Sequence, residues 1–366
     1  MSRMPRPTST TLSGTQAGAA RTRSRPTMRE VAALAGVSIK TVSRVVNGEP
    51  GVSDALVRRV EQAAAQLDYH PDLAASNLRR TGRKTHTLGL LLEDVANPFS
   101  GAVHRAIGDA AAERGFAVLA TSLDEDPIRE REVVRAMVLR RVDGLVVVPT
   151  GTDQSYLRSE MHAGLGVVFI DRPPGFLDAD TVLATNRSGA REGVDHLLRA
   201  GHRRIAFLGD LSAIATASDR YKGYVDALRG AGLGVDERIV RTDLHTREAA
   251  EAAADGLLRM SDEVAPTALF TSQNLVTIGA VHALRRHDLQ HLVGLVGFDD
   301  VELADLLDPG ITVVAQDPYE MGREAATLLF GRLDGERGPS QHRTVPTRLV
   351  IRGSGEVQPR QTVVAG

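Results

Sequence analysis

From Thr27 the chain carries apolar side chains at helical spacing, in three short runs. Thr27, Met28, Arg29 and Glu30 form a capping-box pattern, whose hydroxyl and carboxylate can satisfy the first free amides of a helix. Val31, Leu34 and Ala35 follow on one face, and Gly36 stops the helix where a positive φ costs least. Ser38 is placed to cap a second helix with Val42, Val45 and Val46 inward. After a break at 47–50, Ser53 opens a third, with Leu56, Val57, Val60, Ala64 and Leu67 three or four residues apart. A short helical segment is predicted over 73–79, then a linker.

Beyond residue 86 the period changes. Apolar runs at 87–92, 116–121, 144–148, 167–170, 204–208, 267–271, 293–297 and 311–314 read as strands. Amphipathic helices near 100–114, 127–140, 187–200, 219–231, 246–260, 273–286 and 318–333 separate many of them. Such alternation predicts an α/β fold of parallel sheets covered by helices on both faces. About 270 residues of it exceed one comfortable doubly wound sheet, so two similar lobes are expected. The resulting division is a basic arm without hydrophobic period over 1–26, a helical head over 27–71, a hinge helix and linker over 72–86, a two-lobed body over 87–352 and a flexible tail over 353–366.

Composition narrows the classes. With 366 residues, 42% hydrophobic and 25% charged, the chain is globular. It has no cysteine, which excludes disulfides, thiolate catalysis and cysteine-ligated metals. Its apolar runs fall far short of a membrane span, and residues 1–26 hold no apolar stretch of the kind a secretion signal needs. A cytoplasmic protein with no membrane partner is expected. The net charge of −2 hides a division. Residues 1–84 hold 14 Lys and Arg against six Asp and Glu, a charge of +8, which leaves −10 for the rest. A basic head on an acidic body suggests a polyanion-binding module joined to a second function. Of the 44 basic residues 41 are Arg, which suits phosphate and guanine contacts, although a GC-rich genome produces the same bias.

Two short helices joined by Gly36-Val37-Ser38 read as a helix-turn-helix, and Ala32 is small enough for close crossing. With its valines inward, the second helix presents Ser38, Ile39, Lys40, Thr41, Ser43, Arg44 and Asn47. Arg44 suits guanine, Lys40 guanine or phosphate, and Ile39 a thymine methyl. The alternative is an ordinary helical hairpin with a solvated face. No phosphate loop, nucleophile arrangement or cofactor motif stands out: 230–234 is a glycine-rich turn after a helix, and His282, His287 and His291 lack a third ligand type in register. No catalytic residue, cofactor or metal is assigned, and an enzyme is not expected.

The segments Met28-Arg29-Glu30-Val31-Ala32, Ala35-Gly36-Val37-Ser38, Thr41-Val42-Ser43-Arg44-Val45-Val46-Asn47 and Val52-Ser53 closely resemble the DNA-binding head of the lactose-repressor (LacI-type) family. The likeness runs through Leu67-Asp68-Tyr69-His70-Pro71 and Ala74-Ala75-Ser76-Asn77-Leu78, the family's hinge segment, and on to about Arg352. It implies that Ala75 and Leu78 touch DNA, with Leu78 wedging between base pairs in the minor groove. It also implies a periplasmic-binding-protein-like body of two α/β lobes around a small-molecule cleft. Asn97, Phe99, Asp171, Arg220, Gln273, Asp299 and Gln316 occupy the family's cleft positions, with Asp171 as a hydroxyl acceptor and Arg220 as the effector clamp.

Two departures bear on the ligand. Gln273-Asn274 replaces an Asn-Asp pair, and Thr185-Asn186 stands where Asp-Asn is common. Each change removes a carboxylate, and Gln273 is expected to reach toward the ligand, so an acid or phosphate competes with a sugar or related metabolite. The resemblance implies a repressor that binds a pseudo-palindromic operator as a homodimer, or a tetramer, under control of that metabolite. The competing readings are a solute-binding protein on the same core and a regulator that has lost its effector.

Overall fold

The computed structural model describes residues 26–46, 49–69 and 85–359. Asn47, the 73–79 segment with Ala75 and Leu78, and all but the last residue of the expected arm lie outside them. The chain divides into two compact units, Met1–Arg83 and Lys84–Gly366.

In the first unit α1 (Met28–Ala35), α2 (Ile39–Val46) and α3 (Asp54–Gln66) enclose a small core. Thr27 and Glu30 form the capping box in full, with Thr27 N–H donating to Glu30 Oε2 at 2.7 Å. Gly36 closes α1 at φ 61°, and a Cβ there would come within 3.0 Å of the Arg59 guanidinium, which donates to Ala35 O. Val31, Ala32, Ala35, Val42, Val60, Ala63 and Tyr69 are buried. In α3 the inner face is turned slightly from the expected one: Ala63 is buried, whereas Leu56 and Val57 are half-buried. Three helices cannot wrap every apolar position of so short a chain.

The second unit holds two six-stranded sheets. The first has the order β11-β5-β4-β3-β1-β2, with β1 (Thr87–Leu92), β2 (Ala117–Ser122), β3 (Gly144–Val147), β4 (Gly166–Ile170), β5 (Asp180–Ala184) and β11 (His342–Val345), all parallel. The second has the order β12-β10-β9-β8-β6-β7, with β6 (Ile205–Leu208), β7 (Val240–Arg241), β8 (Ala268–Thr271), β9 (Gly294–Phe298), β10 (Thr312–Ala315) and β12 (Arg348–Val350), in which only β12 is antiparallel. Each sheet is covered on both faces. The first lobe has α4 (Pro98–Glu113), α5 (Pro127–Leu139), the short α6 (Arg158–His162) and the late α11 (Pro318–Leu333). The second has α7 (Asn186–Arg199), α8 (Ala215–Gly230), α9 (Arg247–Leu258) and α10 (Asn274–Arg286).

All eight expected strands are present. The four additional ones are β5, which opens on the polar Asp180, and β7, β11 and β12, which are edges of two to four residues. Edge strands half-open to solvent need no apolar run, so periodicity does not mark them. The helix expected from residue 219 starts at Ala215, because 215–218 are small residues with no strong period. The segment from Gly353 is not a loose tail as far as it is described. Ser354 and Gly355 are buried, Ser354 Oγ donates to Leu295 O, Glu356 pairs with His196, and Val357 O bonds His202.

The chain passes between the lobes three times, at β5–α7, at β10–α11 and at β11–β12. Two passages are joined side by side: Thr185 Oγ1 lies 2.9 Å from Thr347 Oγ1 and accepts from Thr347 N–H at 2.9 Å. No helix among the described residues is long and apolar enough to cross a membrane.

Candidate functional site

The helix expected to face outward from the head is only partly open: Ile39 and Lys40 are exposed, whereas Thr41, Ser43 and Arg44 are half-buried. Ile39 is 47% exposed and Lys40 is exposed beside it, so an apolar and a cationic tip project from the start of α2. Ser38 caps α2, accepting from Thr41 N–H at 3.1 Å, with Thr41 Oγ1 2.9 Å from its hydroxyl. Those two hydroxyls therefore serve the helix start as well as the surface. Ser43 is half-buried. Arg44 folds back onto the following loop, bonding Pro50 O and lying 3.8 Å from Glu49. Reaching a base edge requires it to leave Pro50 and Glu49.

In the body the carboxyl ends of the two sheets face each other. Asp171 follows the last residue of β4, and Asp299 follows the last residue of β9. Both take the left-handed conformation at φ 68°, and each donates its N–H across the sheet, to Val182 O and Val314 O respectively, at 2.9 Å. Asp tolerates this region better than most residues, and its use at matching points turns both carboxylates into the gap. They are close enough that Asp171 contributes to raising the pKa of Asp299, after the larger effect of burial.

Arg220 lies at the centre, 5% exposed. It donates to Asn186 Oδ1 at 2.8 Å, Ser272 O at 2.7 Å and Asp299 Oδ2 at 3.4 Å, and its guanidinium lies 3.9 Å from the Phe298 ring centroid. Its helix reaches this depth through Gly223, where a Cβ would come within 2.2 Å of Arg187 O in α7. Gln316 Nε2 donates to Asp299 Oδ1 at 2.6 Å. In the facing lobe Arg172 holds Glu125 through two bonds of 2.8 and 2.7 Å and lies 3.5 Å from Asp171. Arg172 Nε and Gln316 Oε1 are buried with no hydrogen-bond partner. A donor and an acceptor left unmet at such depth are costly unless a ligand completes them.

The structure thus gathers Asp171, Arg220, Asp299 and Gln316. Asn97 is adjacent to them in a different way: its Oδ1 caps α4 by accepting from Phe99 N–H at 3.1 Å, and also accepts from Asn274 Nδ2 of the other lobe at 2.9 Å. Phe99 is half-buried against the first lobe's core. Gln273 does not reach into the cleft as expected. Its Oε1 accepts from Leu275 N–H at 2.8 Å and so caps α10. The lengthened side chain turns back on its own helix, which leaves Asn274 to span the gap. Asn186, Ser272, Asn274, Phe298, Arg172 and Glu125 were not among the expected site residues. Only Asn186 and Asn274 carried a signal, as part of the two departures from the family pattern.

Residues 27–72 match the family described as bacterial regulatory proteins, lacI family, and residues 194–355 match the periplasmic binding protein-like domain. The transcriptional regulator PtxS of Pseudomonas aeruginosa is 34% identical over 338 residues, covering 91% of this chain and 96% of that protein. A solved complex of the regulator CelR with cellobiose is 31% identical, covers 90% of this chain and all of that one, and superposes with a TM-score of 0.66. A lac repressor dimer bound to operator and an anti-inducer shares the fold at a TM-score of 0.79, with 24% identity over 91% of this chain and 99% of that one.

Proposed function

Because this chain belongs to the lacI family of bacterial regulatory proteins, we propose that its cleft binds a neutral, hydroxyl-rich metabolite that sets its hold on operator DNA. The protein is a DNA-binding transcription regulator, a repressor in type, and in this reading it works in the cytoplasm and catalyses nothing. One observation carries the ligand class. Arg172 pairs with Glu125 and also faces Asp171, and Arg220 pairs with Asp299, so two cleft guanidiniums meet three carboxylates. A carboxylate or phosphate ligand would meet net negative charge, whereas hydroxyls can donate to Asp171 and Gln316 Oε1. The effector must bind the two lobe arrangements unequally to shift anything.

DNA recognition is tested with the full-length protein and the intergenic DNA beside its gene. Binding should be sequence-selective and weaken steeply with salt, because released counterions drive it. Arg44→Ala should lose about 1–3 kcal/mol of discrimination at one base pair, read as a relaxed preference in a mutated-site series. An unchanged preference would remove Arg44 from readout, and absence of any selective binding would sink the regulator reading.

A homodimer is part of the proposal. An apolar hollow of about 410 Å³ beside α10 is lined by Ile278, Val281, Val301, Leu303 and Leu307. Leu303 and Leu306 are 61% and 74% exposed next to it, and the first sheet's edge strand β2 exposes Leu119. A second copy covering the same faces would satisfy twofold symmetry and match paired operator half-sites. Leu303→Asp with Leu306→Asp should halve the mass measured by sedimentation, whereas an unchanged mass would place the interface elsewhere.

A further inference from the structure

Away from Arg220, a second set of side chains spans the two lobes. Glu93, at the carboxyl end of β1, places its Oε1 3.6 Å from Nε2 of His245, which stands between β7 and α9 of the other lobe. His245 Nδ1 is in turn 2.8 Å from Asp210 Oδ1. The Glu93 and His245 side chains keep only 22% and 33% of their exposure. Glu125 and Arg172 face Glu93 from within the first lobe, Asp171 lies beside Arg172, and Asp94, Asp124, Arg247 and Glu248 line the open space of about 550 Å³ next to the contact. Asp210 and His245 belong to the same lobe, so their bond survives lobe separation. The Glu93–His245 contact does not.

We propose that Glu93 and His245 form a proton-operated latch, which closes the lobes on proton uptake. It rests on the reading above that the effector acts by binding the two lobe arrangements unequally.

Burial, followed by repulsion from Glu125, pushes Glu93 up to about 7, against the opposing pull of Arg172 and His245. With the lobes apart Glu125 and Arg172 still face Glu93, but the burial supplied by the second lobe is gone, so its pKa falls back toward the ordinary carboxyl range. Between the open and the closed pKa the closed form binds the extra proton. Closure is therefore favoured as pH falls through about 7 and penalised above it. The Asp210 bond raises the pKa of His245, and Glu93 and Glu125 add to this. That second contribution exists only when the lobes meet and acts in the same direction.

The chain has no cysteine, so Glu132→Cys and Ala252→Cys place one dye on each lobe of the full-length protein. Both positions are exposed, on α5 and α9. Single-molecule energy transfer then reads closure in solution, with neither effector nor DNA present. Between pH 8 and pH 6 the closed-to-open ratio should rise about tenfold. Glu93→Gln, a mimic of the protonated carboxyl, should stay closed at both values, and His245→Gln should shift toward open with a smaller response. Equal distributions at pH 6 and 8 in the parent, or a Glu93→Gln protein that follows pH as the parent does, would overturn the latch. Either result leaves operator binding untouched, and the salt-dependent binding to intergenic DNA described above reports on that reading separately.

Discussion

Replacing Arg220 with alanine will abolish the ligand response and cost about 3–5 kcal/mol of stability in the body, the range for breaking one side of a buried ion pair. The reason lies in what remains. Asp299 is buried, with burial already raising its pKa and Arg220 as the largest counterweight. Asn186 Oδ1 and Ser272 O lose their donor, and the Phe298 face loses its cation. Arg220→Lys keeps the charge but cannot hold three acceptors in one plane, so it should recover part of the stability and little of the ligand response. A folded-state pKa above the unfolded one means stability gained as pH falls. The alanine variant, with Asp299 raised further, should be rescued by acid more than the parent. Thermal unfolding at several pH values, with and without a panel of neutral and phosphorylated sugars, reads all of this. An unchanged melting temperature together with a preserved ligand shift would discard the clamp.

Val42→Asp will remove operator binding and leave the body intact. Val42 is fully buried in a core that holds seven buried side chains among the described residues of the head. An unpaired carboxylate there costs more than so small a unit holds in reserve. Operator affinity should fall by more than about a hundredfold, to the limit of detection, given a loss above ~3 kcal/mol. The body is a separate compact unit, so its melting and its ligand-induced shift should match the parent. Retained operator affinity would mean that the head tolerates the charge, and a parallel loss of the body's transition would mean that the two units unfold together.

These cases also mark how far the sequence could be read. The head was legible almost in full, since Thr27, Gly36 and Ser38 act through neighbours three or four residues away, and local rules describe them. The buried strands were legible as continuous apolar runs. Arg220, Asp299 and Gln316 could be named by family pattern, but their mutual bonds join residues 17 to 79 positions apart, which no local period encodes. Gln273 shows the limit. Its identity was plain, yet whether the amide enters the cleft or caps α10 depends on the competing Leu275 N–H. Arg44 is the same lesson at the surface, where Pro50 O claims a group that the pattern assigns to DNA. The left-handed backbone at Asp171 and Asp299 leaves no mark in composition at all.

The three passages between lobes set what the molecule can report. A body hung on one thread swivels freely, whereas three threads, two of them pinned together by Thr185 and Thr347, permit little except bending. In the proposed function the protein would thus compress a ligand's shape, charge and hydroxyl pattern into a single angle. Molecules of unlike chemistry that reach the same angle would be read as the same message, and a tight binder that leaves the angle unchanged would be silent.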